Sequence, residues 1–310
     1  PSHVVFNSCL NIPKIDEKEV FKGIKRLKPS MTAGRDSMPA FLIKDCINVF
    51  TKPLLFVYNL ILSTSTYPGI FKQSRISPVF KKGDKNIIEN YRPISIMNNF
   101  AKIFEFIVSD IIAYHTSKMI SEHQHGFINK RSTVTNLLCK TQYLSECLDR
   151  GGQVDVVYLD FSKAFDSLNH SILIGKLALY CFSSTLIDFL KSYLEKRSSF
   201  VEYRGFRSNT FEQLSGVPQG SVLGPLLFVL YINDITNVLT TKYLMYADDL
   251  KIYTEIRTEA DCKLLQTDLD NILTWGRVNN LNLNKRKCYV MTFTRRIKKS
   301  LIPTALMMLL

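Results

Sequence analysis

At 310 residues, with 46% hydrophobic and 22% charged side chains, the chain has the composition of a folded protein with a sizeable core, which excludes a disordered chain. The formal net charge of +13 indicates a polyanionic partner, and nucleic acid is the most economical candidate. The seven cysteines are scattered without a C-x-x-C pair, so neither a zinc site nor a disulfide framework is expected.

The longest apolar runs, at residues 53–62 and 222–232, are too short to span a bilayer, and the N-terminal residues do not resemble a signal peptide. We therefore expect no membrane partner and a reducing intracellular location. The chain begins without Met, which favours a fragment of a longer protein.

The first half of the chain is predicted to be mostly helical. Asp16 is a candidate cap for the first helix. Apolar residues at helical spacing predict helices at residues 18–27, 40–50, 52–62, 100–114 and 133–148.

Between these helices, residues 75–85 alternate into a basic turn and residues 91–96 return from it, which predicts a hairpin. Cations at its tip and base would suit contacts with phosphates. Lys85 at the tip can equally be a solvated surface residue. Arg92 is the stronger candidate, because an Arg between an aromatic residue and a proline is not the usual solubilising choice.

A run of apolar, strand-forming residues at 154–159 predicts a strand covered on both faces. It ends at Asp160, where a charge is costly unless it is paired or bound to a metal ion. Asp166 has a simpler explanation, because it precedes a helix predicted at residues 168–180 and can cap it.

A loop rich in glycine and proline surrounds Gln219, and such a backbone lets another molecule approach closely. An apolar helix is predicted after it, at residues 226–235. Asp234 in this helix is expected to be bonded within the fold.

Residues 242–255 are predicted to form a tight β-hairpin with Asp248 and Asp249 at its turn. Aspartate is common in turns, so both can be turn residues only. Adjacent carboxylates between apolar strands also repel each other unless a cation lies between them. If the sheet brings Asp160 to the same edge, the three carboxylates would meet the needs of a site for two Mg²⁺ ions.

The remainder of the chain is predicted to contain a helix at residues 260–275 and then a strand pair at 281–293. A basic cluster, Lys285–Lys287, interrupts the strand pair, and a second follows at residues 295–299. Both clusters suit a nucleic-acid backbone.

Three blocks of sequence occur in a specific order: Leu159-Asp-Phe-Ser-Lys-Ala-Phe-Asp, Ser215-Gly-Val-Pro-Gln-Gly-Ser-Val-Leu-Gly-Pro and Tyr246-Ala-Asp-Asp. They resemble the reverse transcriptases of non-LTR retrotransposons, most of all the jockey type. Shorter blocks extend the resemblance over residues 15–294: Asn90-Tyr-Arg-Pro-Ile-Ser-Ile, His125-Gly-Phe and Leu283-Asn-Lys-Arg-Lys-Cys.

This resemblance implies an α+β right-hand polymerase fold with fingers, a palm with an antiparallel sheet, and a truncated thumb. Residues 1–153 would form an N-terminal extension and the fingers, 154–257 the palm, and 258–310 the end of the palm and the start of the thumb. The implied activity is RNA-directed DNA polymerisation: a 3′-OH primer is extended with dNTPs on an RNA template by two Mg²⁺ ions, for which Mn²⁺ can substitute.

The resemblance also assigns the metal and acid residues. Asp160 and Asp248 would bind both ions, Asp249 would complete the carboxylate cluster, and Phe161 would lend its carbonyl oxygen. Lys287 matches a lysine that protonates the departing pyrophosphate.

Other matched positions would contact the incoming nucleotide. Phe165 matches an aromatic gate against the ribose 2′-OH, and its alternative is a core aromatic residue. Gln219 would contact the nucleotide near its sugar, with Gly220 giving it room. Arg92 and Lys102 would lie near the triphosphate.

The implied partners are an RNA template, a DNA primer or target and dNTPs, with action in the nucleus and assembly with RNA in the cytoplasm. An endonuclease domain that precedes this domain in the family is missing from the sequence. Two departures from the family concern Ile128, where Arg is usual, and the loop at residues 34–39. The alternatives are an RNA-directed RNA polymerase, against which Phe165 argues, and an inactive nucleic-acid-binding remnant.

Overall fold

The structure is a computed structural model that describes residues 9–295, so most of the predicted basic cluster at 295–299 lies outside the described residues. The α-helices are α1 (Glu17–Arg26), α2 (Ala40–Asp45), α3 (Ile47–Thr64), α4 (Asn99–Thr116), α5 (Thr133–Asp149), α6 (Ala164–Ser167), α7 (His170–Leu179), α8 (Ser184–Leu194), α9 (Leu223–Ile232) and α10 (Glu259–Val278). The strands are β1 (Gln73–Phe80), β2 (Tyr91–Met97), β3 (Gln153–Leu159), β4 (Arg197–Tyr203), β5 (Phe206–Arg207), β6 (Phe211–Gln213), β7 (Lys242–Tyr246), β8 (Asp249–Glu255) and β9 (Tyr289–Thr294).

The chain divides into two compact units. The first contains the described residues up to Met119 together with His170–Leu227. The second contains Ile120–Asn169 and the described residues from Phe228 onward. The boundaries predicted at residues 153 and 257 stay a prediction.

The first unit holds a mixed sheet in the order β2-β1-β4-β5, with β6 paired to β4. The predicted hairpin is confirmed, because β1 and β2 are antiparallel from Ser74↔Met97 to Phe80↔Tyr91. Strand β4 lies parallel to β1, and its pairing was not predicted from the sequence.

The one helix cap predicted in this unit can be compared with the structure. Asp16 caps α1 in a capping box with Glu19, as expected. The predicted break between the second and third helices is wrong: it falls at Cys46, and α3 continues through Pro53. Thr51 Oγ1 donates to Ile47 O inside that helix. By length and composition alone α3 could cross a membrane, a test that the core helices of globular proteins also pass.

The second unit holds an antiparallel sheet in the order β7-β8-β3-β9. Strand β3 is central and almost wholly buried, as its apolar run predicts. Helices α5 and α10 contact the sheet and cover it. The core of this unit includes Leu144, Val156 and Leu244.

Three predictions from the sequence, for Asp234, Asp166 and residues 281–293, concern this unit. Asp234 Oδ1 accepts a hydrogen bond from Trp275 Nε1 at 3.1 Å, so its structural role is confirmed. Asp166 lies within α6, four residues before α7 begins, and its role as a cap stays a prediction. The predicted strand pair at residues 281–293 is wrong in its first half: Leu283 forms only an isolated bridge with Phe161, and Lys285–Lys287 is a 3₁₀ turn.

Candidate active site

The two aspartate motifs meet because their strands are neighbours in the second unit. Strands β3 and β8 are antiparallel, with Leu159 paired to Leu250. One further step in the same register puts Asp160 opposite Asp249. Asp248 precedes Asp249 in the turn between β7 and β8. The sheet therefore gathers the predicted carboxylates at one end of β3.

Burial and repulsion between carboxylates disfavour ionisation of Asp248 and Asp249. Burial raises the pKa of Asp248, and the charges of Asp249 and Asp160 raise it further. Burial also raises the pKa of Asp249, again with a contribution from Asp160. The Lys287 ammonium lowers both pKa values and so opposes the repulsion.

Lys287 is held beside Asp160 by an ion pair. Its Nζ lies 2.8 Å from Asp160 Oδ2 and 3.0 Å from Oδ1. The backbone supports this arrangement, because Asn284 N donates to Asp160 O at 2.7 Å and Ser162 N donates to Asn282 O at 2.8 Å. The loop that carries Lys287 is thus attached to the end of β3.

The Phe161 carbonyl takes no part in the backbone hydrogen bonds between the end of β3 and residues 282–284. The bonds to the 282–284 segment use the carbonyl of Asp160 and the N–H of Ser162, on either side of Phe161. The Phe161 side chain is buried and its ring contacts Trp275 edge-on, with centroids 6.3 Å apart. The ring anchors the turn while the carbonyl stays outside the pairing with this segment.

Within residues 9–295 no group of three or more His, Cys, Asp or Glu side chains is arranged to hold a metal ion. The donors nevertheless suit a hard dication, because they are carboxylate and carbonyl oxygens. A dication would also offset the repulsion that raises the pKa values of Asp248 and Asp249. The residues therefore fit the ion chemically, although Asp160 is paired with Lys287.

Phe165 lies in α6 and its ring has two aromatic neighbours. It stacks on Phe228 with centroids 4.3 Å apart and meets Phe127 edge-on at 6.0 Å. The residue is only partly buried. Phe228 supports one face of the Phe165 ring. The role of Phe165 as a gate stays a prediction.

Gln219 and Gly220 lie in the first unit, in the loop between β6 and α9. Ser95 N donates to Gln219 O at 2.7 Å, which attaches the loop to β2. Gly220 has φ of 122°, and a Cβ there would lie 2.5 Å from Ser95 O. Only glycine fits this position without strain.

Glu105 supports the same loop, a role that the sequence analysis missed. Its carboxylate accepts hydrogen bonds from Val222 N at 2.7 Å and Leu223 N at 3.1 Å, at the beginning of α9. The side chain is buried and faces the charge of the buried Arg197. A signal existed, because Glu105 lies between Phe104 and Phe106 in a largely apolar part of α4.

The remaining predicted residues are also in the first unit. Arg92 is exposed on β2, three residues before Ser95. Lys102 is on α4, where burial lowers its pKa and the Glu105 carboxylate raises it. The second unit contains Asp160, Phe161, Phe165, Asp248, Asp249 and Lys287, whereas the first contains Arg92, Lys102, Gln219 and Gly220.

Two proteins of Drosophila are similar to this chain in sequence. The "Probable RNA-directed DNA polymerase from transposon BS" of Drosophila melanogaster is 29% identical over 92% of this chain and 33% of its own length. The "RNA-directed DNA polymerase from mobile element jockey" of Drosophila funebris is 28% identical over 94% of this chain and 33% of its own length. The chain thus spans about a third of the length of these relatives.

The fold is shared with a solved telomerase. The structure of apo telomerase from Candida tropicalis, truncated from the C-terminal domain, superposes with a TM-score of 0.51 over 78% of this chain and 55% of that one, at 14% identity. This likeness supports the right-hand polymerase fold alone. The sequence profile of the family "Reverse transcriptase (RNA-dependent DNA polymerase)" matches residues 79–301, which is more than half of the chain, so the chain belongs to that family.

Proposed function

We propose that the chain is the polymerase domain of a non-LTR retrotransposon and extends a 3′-OH primer with dNTPs on an RNA template. The observation that carries this proposal is the register of β3 and β8, which pairs Leu159 with Leu250 and, continued by one residue, puts Asp160 opposite Asp249, with Asp248 next to it. Asp160 and Asp248 are partly buried, where a carboxylate is otherwise costly. Family membership supplies the reaction class.

Reverse transcriptases use divalent metal ions, and two Mg²⁺ or Mn²⁺ ions would be held here by Asp160, Asp248, Asp249 and the Phe161 carbonyl. When bound, such ions activate the attacking 3′-oxygen and neutralise charge on the leaving pyrophosphate. Phosphoryl transfer then requires positioning and electrostatic stabilisation more than covalent help from the protein.

The chain's own residues have separate tasks in this proposal. Lys287 Nζ holds a proton beside Asp160 and would donate it to the departing pyrophosphate. Gln219, whose backbone is attached to β2, would contact the nucleotide near its sugar. Arg92 and Lys102 would neutralise the triphosphate, and Phe165 would exclude a ribose 2′-OH.

An RNA template and a DNA primer or target would bind through basic surfaces. Lys81, Lys82 and Lys85 are exposed at the tip of the β1–β2 hairpin. Lys285–Lys287 is exposed next to the carboxylates. Both clusters suit contacts with phosphates rather than with base edges. The site of action would be the nucleus.

A primer-extension assay tests the proposal. The purified chain is given an RNA template with an annealed DNA primer, dNTPs and Mg²⁺, and Asp248→Asn is run in parallel. We expect extension by the wild type and none by the variant. Binding of the primer–template without extension by the wild type would contradict the proposal and support an inactive nucleic-acid-binding remnant.

A further inference from the structure

Gln124 is buried, and its side-chain amide hydrogen-bonds to the backbone of the turn that contains Asp248 and Asp249. It is 1% exposed. Its Oε1 accepts hydrogen bonds from Ala247 N at 3.0 Å and from Gly126 N at 2.8 Å. Its Nε2 donates to Ala247 O at 3.3 Å. One side chain therefore binds both backbone groups of the residue that precedes Asp248.

Ala247 is in a conformation that it does not favour by itself. Its φ is 57°, in the left-handed region, where a residue with a Cβ is strained. Such strain persists only where the surroundings determine the backbone. The two bonds from Gln124 are the local interaction that does so.

The segment around Gln124 is itself fixed along the edge strand β7. His125 N donates to Met245 O and Met245 N donates to His123 O, both at 2.9 Å. Arg131 Nη1 donates to Gln124 O at 2.6 Å. A Cβ on Gly126 would overlap Ala247 N, so the two backbones are as close as a glycine allows.

We infer that Gln124 is a positioning residue of the polymerase site: it holds Ala247 in the left-handed conformation and thereby sets the direction of the Asp248 and Asp249 carboxylates. The inference rests on the proposed function for its consequence, because the carboxylates matter through the ions that they would bind. Groups that orient metal ligands typically contribute tenfold or more to metal affinity or activity.

The competing explanation is that Gln124 only satisfies polar groups in a buried loop. Gln153 provides a matched control. It is a buried glutamine of the same unit at the start of β3, whereas Asp160 follows the end of that strand. Gln124→Met and Gln153→Met remove the same amide and keep a similar volume.

The first experiment measures ion dependence. We expect Gln124→Met to raise the Mg²⁺ concentration for half-maximal primer extension about tenfold, and to weaken Mn²⁺ binding followed by electron paramagnetic resonance by a similar factor. Gln153→Met should leave both values within about twofold of wild type. Equal effects of the two substitutions would overturn the inference. If Gln124→Met does not fold, Gln124→Glu is used, since it keeps the acceptor for Gly126 N and Ala247 N.

The second experiment tests the coupling to Ala247. Glycine adopts positive φ without strain, so Ala247→Gly should reduce the need for Gln124. We expect Gln124→Met to weaken Mn²⁺ binding less in the Ala247→Gly background than in the wild type, whereas the effect of Gln153→Met should be the same in both. Additive effects of Gln124→Met and Ala247→Gly on Mn²⁺ binding would overturn the inference. If the wild type does not extend primers, the proposed function fails, but this coupling and the Mn²⁺ measurement still decide the role of Gln124.

Discussion

Lys287 Nζ lies 2.8 Å from Asp160 Oδ2, so the residue proposed as the proton donor is paired in this structure with a residue proposed as a metal ligand. The Lys287 side chain is 55% exposed and the Asp160 side chain 22% exposed. A cation in this position offsets part of the repulsion among the three aspartates. The proposed function therefore gives Lys287 two separable roles, as a counter-charge and as an acid.

Substitution of Lys287 separates these roles. We expect Lys287→Met to slow the chemical step of dNTP addition by about 10²-fold, the usual contribution of a general acid, with little change in dNTP binding. The measurement is single-turnover kinetics with a natural dNTP and with an analogue whose leaving group is more acidic. A general acid matters less for the more acidic leaving group. An equal loss with both nucleotides would leave Lys287 as a counter-charge only.

Removal of the Asp248 charge should abolish nucleotide addition but not folding. We expect Asp248→Asn and Asp160→Asn to lose several kcal/mol of transition-state stabilisation, which is more than about a hundredfold in rate. Burial and repulsion raise the pKa of Asp248, so a neutral Asn should not lower the free energy of unfolding in metal-free buffer. Asp270→Asn is the control, because Asp270 is exposed on α10. Activity above about a tenth of wild type in either variant would refute the assignment.

Binding of nucleic acid should depend strongly on salt and weakly on sequence. Lysine contacts with phosphates release counterions, so log Kobs falls with log salt by about 0.9 for each contact. We expect Lys285→Gln and Arg286→Gln each to reduce this slope. Lys263→Gln is the control, because this substitution removes the same charge from α10. Lys263 Nζ lies 2.9 Å from Glu259 Oε1 on that helix. Fluorescence anisotropy from 50 to 200 mM salt measures the slope, and an unchanged affinity over that range would contradict the prediction.

Glu105 should be required for both the stability of the first unit and the position of the Gln219 loop. Glu105→Leu leaves Val222 N and Leu223 N without their acceptor and the buried Arg197 without its counter-charge. Each buried donor left without an acceptor costs about 1–3 kcal/mol. We therefore expect a lower urea midpoint and a raised KM for dNTPs.

The combined change Glu105→Leu with Arg197→Met is the control for charge. It replaces both buried charges by apolar side chains, so it should recover much of the stability. It does not restore the cap on α9, so the raised KM should remain. Recovery of both properties would mean that Glu105 supports the fold only.

Sequence patterns predicted the local elements and the carboxylates, but not the contacts that align them. Asp160, Asp248 and Asp249 were identifiable because charges at the ends of apolar strands are unusual. The hydrogen bonds of Gln124 to Ala247 and of Glu105 to the first residues of α9 join residues more than a hundred positions apart. The periodicity of apolar residues in a sequence does not indicate such long-range pairs. Strand β4 was missed for a related reason, since its partner β1 lies far earlier in the chain.

The last prediction concerns the choice of sugar and Phe165. The ring rests on Phe228, with centroids 4.3 Å apart, while the residue remains partly exposed. A supported, accessible ring can exclude an oxygen on the ribose 2′ carbon. We therefore expect the wild type to prefer dNTPs and Phe165→Val to relax this preference, with GTP incorporation rising in absolute terms and dGTP incorporation falling only modestly.

If Phe165 were only a structural residue, Phe165→Val would have a different effect on nucleotide use. Truncation of a core Phe costs about 3–5 kcal/mol and would depress the use of both nucleotides alike. Phe293→Val is the matched control, because Phe293 packs against the core of the same unit on β9. The measurement is kcat/KM for dGTP and GTP on one primer–template. A ratio that changes in Phe165→Val but not in Phe293→Val assigns sugar selection to Phe165. If the ratio is unchanged in both variants, the selectivity resides in other residues.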